Sequence, residues 1–145
     1  MDEQLNHAPC GFLTLSEDGF ILESNQTLLK LLNYSQDSLI GQHVNFILTV
    51  PARLFSQLYF FPLVKLERRV EEMYISLKTS KGEEIPVLVN ALLRREKERT
   101  VLECILLPMR KRNEYENELL LAKKDTEEAL KAKHKAITEL ETTLK

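Results

Sequence analysis

The apolar and polar positions of the chain divide it into a first part of short runs and a last part with a helical period. In "CGFLTLSEDGFIL" two apolar runs flank "SEDG". Asp18-Gly19 predicts a hairpin there, because glycine takes positive φ at little steric cost. "NQTLLKLLNY" places Leu28, Leu29, Leu31 and Leu32 on one face of a short helix. Asn25 is positioned to cap its free amides, and Asn33 suits a left-handed exit. "SQDSLIG" reads as a second short helix that opens on a capping serine and stops at Gly41. "EEMYISLKTSKGEEIPVLVNALLRRE" predicts two strands about "SKGEE", and "TVLECILLPM" predicts a third. The expected order is two strands, several short helices, then a three-stranded meander.

After Pro108 the chain has no Gly or Pro and is rich in Glu, Lys, Ala and Leu, residues that favour helix without packing. Tyr115, Leu119, Ala122, Thr126, Ala129, Ala136 and Leu140 follow alternating four- and three-residue spacing, interrupted by Lys133. A second stripe runs through Leu120, Leu130, Ile137 and Leu144. Two competing registers describe a weak coiled coil that shifts or rotates at small cost. The other reading is a solvated helix that frays beyond Leu130.

Composition removes several function classes. At 145 residues, 43% hydrophobic and 29% charged, the chain holds one core and a modest extension. A net charge of −2 supplies no positive field for nucleic acid. No apolar run reaches the roughly 18 residues of a membrane span, and "MDEQLNHAPC" lacks the order of a signal peptide, so a cytoplasmic chain is expected. Cys10 and Cys104 are too few for a disulfide framework. His7, His43 and His134 are scattered, which gives no metal cluster. Glu71-Glu72 and Glu83-Glu84 fall at strand ends and turns, where solvated charge is ordinary. With no triad order and no phosphate loop, a segment without catalytic residues is expected.

The string N-x-x-L-x-x-L-L-x-Y-S-x-x-x-L-I-G from Asn25 to Gly41, followed by "KGEEIPVLV" from Lys81 to Val89, resembles the PAS sensor family. The resemblance spans about residues 8 to 109, which suggests a PAS sensor domain over 1–109 and a signalling helix over 110–145. More narrowly, "APCGFLTLSEDG", "FFPLVKLE", "GEEIPVLVNA" and "PMRKRNEYENELL" resemble the N-terminal sensors of bacterial PP2C-type serine phosphatases in energy-stress partner switching. Similar sensors also sit on histidine kinases and cyclases. Two departures stand out. Asn33 replaces the usual Gly before Tyr34, and "PMR" at Pro108 to Arg110 stands where many PAS domains carry Asp-Ile-Thr, so the junction is expected to rely on packing through Met109.

The resemblance implies an α+β fold, a five-stranded antiparallel sheet with short helices on one face, followed by a long coiled-coil helix. It makes "PARLFSQLYFFPLVKL" the long helix of a cavity wall, begun at Pro51 and bent or ended at Pro62. Four of the chain's ten Phe and Tyr residues lie between Leu54 and Leu66. Phe55, Leu58 and Tyr59 share a helix face by spacing and are expected in the pocket, whereas Phe60 and Phe61 would pack on the sheet, another helix or a partner. The remaining implied pocket residues are Leu13 and Leu15, Ile75 and Leu77, Val87, Val89 and Ala91, and Leu102, Cys104 and Leu106. Such walls suit a small hydrophobic ligand; a core closed by its own side chains is the alternative.

No cysteine stands in "GQHVNFIL" for a flavin-thiol adduct, and the long helix carries no histidine for heme, so neither cofactor is expected. On the opposite sheet face Leu88, Leu92, Val101, Ile105 and Leu107 would form an apolar patch for a second copy. Tyr115, Leu119, Ala122, Ala129 and Leu140 would complete a homodimer interface, with a monomer covered by its own termini as the alternative. The expected function is detection of a small hydrophobic ligand, or of a partner that delivers one, and control of an attached phosphatase through the tail. A ligand-free dimerisation or docking module is the alternative. The narrower resemblance also implies an α/β-hydrolase partner.

Overall fold

The alternating runs around Asp18-Gly19 form a hairpin in the computed structural model, which describes residues 1–144. Gly19 takes φ +90°, and strands β1 (Gly11–Ser16) and β2 (Ile21–Ser24) pair antiparallel. Ahead of them lies a single turn, α1 (Glu3–Asn6). Helix α2 (Gln26–Leu32) begins on Asn25, whose side chain accepts the Leu28 N–H, and ends on Asn33 at φ 61°. Helix α3 (Gln36–Leu39) is capped by Ser35, as its sequence predicts. A 3₁₀ turn (Val44–Ile47) follows, with the His43 ring accepting the Asn45 N–H.

The long helix comes in three pieces: α4 (Val50–Phe55), a π turn (Ser56–Phe60) and α5 (Phe61–Glu67). Thr49 caps its start and Pro51 lies in its first turn. Pro62 lacks an N–H and its ring crowds the carbonyl four residues back, so the preceding turn widens instead of the helix ending. The Phe61 N–H accordingly donates to Ser56 O, five residues back. Arg68 closes α5 in a left-handed conformation.

Strands β3 (Arg69–Lys78), β4 (Glu84–Glu96) and β5 (Arg99–Pro108) complete a five-stranded antiparallel sheet in the order β2-β1-β5-β4-β3. A bulge between Val70 and Met73 kinks β3, where Glu72 has positive φ and its N–H donates to Asn90 Oδ1. The segment between α3 and α4 reaches both outer strands. Gly41 and Gln42 exchange hydrogen bonds with Ile21 on β2, His43 bridges Phe20, and Leu48 bridges Leu77 on β3.

The core lies between the sheet and these helices. Leu13, Leu15, Ile21, Leu28, Leu32, Leu39, Ile47, Leu77, Ile85 and Val87 are fully enclosed. Asn25 is the one polar residue among the largest enclosed side chains. It accepts the N–H groups of Phe12 and Leu28 and donates to the carbonyls of Leu5 and Cys10. Buried polar groups need such partners, and this set ties the N-terminal turn to β1 and α2.

The chain forms two units, residues 1–110 and residues from 111 onward. At the end of the first, the Met109 N–H donates to Pro86 O and the Met109 side chain is half-buried. The second is one helix, α6 (Arg112–Leu144). Taken by itself it exposes Tyr115, Leu119 and Leu140 of one apolar stripe and Leu120, Leu130 and Ile137 of the other.

Candidate functional site

Directly paired residues share a face of an antiparallel sheet, so register decides which side chains can meet. Leu13 pairs with Cys104, Cys104 with Ala91, and Val89 with Leu106 and Met73. These place Leu13, Leu15, Ile75, Leu77, Val89, Cys104 and Leu106 around a buried cavity of about 30 Å³. Val87, Ala91 and Leu102 lie in the same core but outside that lining.

The helix side of the cavity differs from the expectation at all three positions. Ser56, Phe60 and Phe61 line it, with Val44, Ile47 and Leu48 from the 3₁₀ turn. Phe55, Leu58 and Tyr59 instead line an apolar groove with Pro62, Leu63, Leu66 and Met73. Leu58 and Tyr59 are 57% and 61% exposed, so neither belongs to the core. The π turn is the cause. Ala52, Ser56, Phe60 and Val64 are the buried residues of this helix, at four-residue intervals. In a regular α-helix that spacing drifts around the axis, and a wider turn brings the positions back to one face. The available signal was Pro62, together with that recurring spacing of small and apolar residues.

The cavity holds space for a water molecule or two, far below the roughly 300–1,000 Å³ of sites for drug-sized ligands. Its walls are aliphatic and aromatic side chains, with one thiol and one hydroxyl. Burial pushes the Cys104 thiol up from 9.0 to about 12, with the neighbouring Glu103 carboxylate adding to it. That thiol is therefore a core group and a poor nucleophile.

Beside the cavity lies an open groove of about 550 Å³ lined by Glu17, Asp18, His43, Asn45, Gln57, Phe61, Pro62 and Lys65. The His43 ring is held on both sides. Nδ1 accepts the Asn45 N–H at 3.1 Å, which leaves Nε2 to donate to Asp18 O at 3.1 Å. It also meets the Phe20 ring edge-on at 5.2 Å, and a Cβ on Gly19 would lie 2.8 Å from Nε2. His43 fastens the hairpin turn to the 3₁₀ turn.

On the outward face of the sheet, Leu92, Ile105 and Leu107 are exposed and Leu88 is half-buried. Val101 shares that face but is buried. Arg94 stands directly opposite Val101 and reaches across to Glu103 at 3.2 Å, so its aliphatic stem runs beside Val101. On α6, taken by itself, Tyr115, Leu119, Ala122, Ala129 and Leu140 are all exposed. Among the described residues there is no metal-binding cluster, and no helix is long and apolar enough to cross a membrane.

A family model described as the PAS fold matches residues 1–112. The phosphoserine phosphatase RsbP of Bacillus subtilis (strain 168) is 61% identical over 128 residues, which cover 88% of this chain and 32% of that protein. The chain thus spans about a third of the length of the curated relative it matches. A PAS domain from Desulfitobacterium hafniense superimposes with a TM-score of 0.64 at 18% identity, covering 74% of this chain and 99% of that one. A PAS domain from Colwellia psychrerythraea gives a TM-score of 0.64 at 15% identity, covering 71% and 89%. At such identities the structural likeness concerns the fold alone.

Proposed function

Because the chain belongs to the PAS family, we propose that it is the sensory segment of a longer PP2C-type serine phosphatase in bacterial stress signalling. The support is the 61% identity to a phosphoserine phosphatase across 128 residues, a stretch that outlasts the sheet and enters α6. The segment is not itself the enzyme. Its role is to bias an attached catalytic domain through that helix.

In this reading two copies pair along α6 and the outward patch of Leu88, Leu92, Ile105 and Leu107. The stimulus is a small hydrophobic molecule, or an α/β-hydrolase partner that supplies one in the cytoplasm. A ligand shifts an equilibrium only by its differential affinity for the two states, so a small ligand needs an output with states of similar energy. Two competing stripes on one helix meet that condition. A ligand-free docking module is the second reading, and the cavity of about 30 Å³ favours it.

Two measurements test the proposal. Serine phosphatase activity of the full-length protein, with and without residues 1–110, should differ under stimulus; equal activity in both forms would remove the regulatory role. Native mass spectrometry of the protein from its own host reads subunit number and retained ligand together. A dimer carrying an added small mass supports the ligand reading, and a dimer of bare mass supports docking. A monomer at tens of micromolar would remove the dimer.

A further inference from the structure

One side chain is common to two hollows of the domain. Phe61 lines the buried cavity of about 30 Å³ and also the open groove of about 550 Å³ beside it. We infer that Phe61 is the gate of the sensor core. The groove is the vestibule for a small amphipathic ligand, with a neutral polar head outside and a ring-sized apolar body that takes the place of the Phe61 ring. This rests on the ligand reading above and goes further by naming the route and the ligand class.

The backbone holds its place while the side chain turns. The Phe61 N–H donates to Ser56 O across the π turn, and Pro62 has no N–H to give. The Pro62 ring would crowd the Leu58 carbonyl in α geometry, so the turn stays wide and Phe61 reorients by rotation of its side chain, with its amide still bonded to Ser56 O. The ring is half-buried and held by an edge-to-face contact with Phe60, at 5.2 Å and 81°. Such a contact is specific but modest, which suits a side chain that must move.

Chemistry on the two sides of the ring defines the ligand. The cavity is bounded by aliphatic and aromatic groups and admits an apolar body; once Phe61 swings out, the space gained is that of a phenyl ring. The groove holds Glu17 and Asp18 against Lys65, and both nitrogens of His43 are already engaged. A carboxylate head would face two acids, and an ammonium would compete with Lys65 for them. Asn45 and Gln57 present carboxamides, which both donate and accept. A hydroxyl, carbonyl or amide is therefore the matching head.

The test uses the full 145-residue chain and four simple probes: benzyl alcohol, benzoate, benzylamine and toluene. Methyl NMR of Leu13, Ile75 and Val89 reports the cavity, and the side-chain amides of Asn45 and Gln57 report the vestibule. Benzyl alcohol should shift both sets of signals and bind more tightly than benzoate or benzylamine. Phe61→Leu should speed its exchange and Phe61→Trp should slow it. Asn45→Ala with Gln57→Ala should weaken benzyl alcohol about five- to tenfold, the worth of a hydrogen bond, and leave toluene unchanged. If Phe61→Trp does not fold, the leucine variant decides alone. Cavity shifts with exchange rates untouched at Phe61 would overturn the gate and leave the ligand reading standing. Cavity methyls unmoved by every probe, in both the parent and Phe61→Leu, would overturn the ligand reading as well.

Discussion

Removing the Asn25 side chain should cost far more than an ordinary helix cap. In Asn25→Ala four bonds vanish together: those from the Phe12 and Leu28 amides, at 2.9 and 3.0 Å, and those to the Leu5 and Cys10 carbonyls, at 2.9 and 3.0 Å. The two carbonyl bonds are only partly buried, so water can replace them. The two amide bonds are buried. Each orphaned amide costs about 1–3 kcal/mol, so the pair comes to about 4 kcal/mol, with the lost cap inside that sum. That is a large share of the roughly 5–15 kcal/mol by which domains are stable, and corresponds to a fall in Tm of about 15 °C. Asn25→Ser retains an oxygen that can cap Leu28 but reaches none of the other three partners, so it should recover about half. Urea unfolding gives the free energies, and hydrogen exchange should show Phe12 and Leu28 losing protection first. An alanine variant within about 1 kcal/mol of the parent would mean that water or backbone movement satisfies those amides.

Three further outcomes are expected. Cys104 should resist alkylation in the folded protein at pH 8, with Cys10 labelled first, and mass spectrometry after denaturation should then find both thiols reactive. The thiol is raised on folding, so its contribution is intact below about pH 9 and is lost as pH rises towards about 12; Cys104→Ala should flatten that part of the stability curve. Ala91→Phe should overpack the core by about 1–3 kcal/mol in urea unfolding, since the nearby cavity of about 30 Å³ cannot absorb the ring; a variant as stable as the parent would reveal hidden room. Lys133→Leu fills the gap in the first stripe of α6 and His134→Leu extends the second, so in the full-length phosphatase they should move basal activity in opposite directions. Equal activity in both, with helical pairing verified by sedimentation and circular dichroism, would make the tail a passive tether.

Local chemistry made most of the fold legible. Gly19, Asn33 and Ser35 act through their own neighbours in sequence, as does the Asn25 cap on Leu28, and each sits where its turn or cap required it; the bonds from Asn25 to Leu5, Cys10 and Phe12 are long-range and left no local signal. Strand alternation was equally direct, because a period of two tolerates no slip, and the inward residues of all the central strands are buried. The helix face was not legible by the same logic. Its period changes locally at the π turn, so a regular projection selected Phe55, Leu58 and Tyr59 in place of Ser56 and Phe60. Proline signalled a disturbance at that point without saying whether the helix would end, bend or widen. Val101 escaped for another reason: it lies between Arg94 on β4 and Ser16 on β1, neighbours that only the ladder register reveals.

The span from Gly41 to Thr49 bears on how this protein avoids aggregation. A sheet with outer strands β2 and β3 has two rows of backbone groups that could template another chain. Here Gly41 and Gln42 occupy one row at Ile21, and the Leu48 bridge with the Thr49 amide on Ser76 O occupies part of the other. The bulge at Glu71 and Glu72 spoils the rest of β3 for regular pairing. Strand addition, the commonest accidental route to fibres, is obstructed on both sides by the protein's own backbone. A helix or a flat sheet face can still recruit a second molecule, while a stray extended peptide finds no continuous ladder to join.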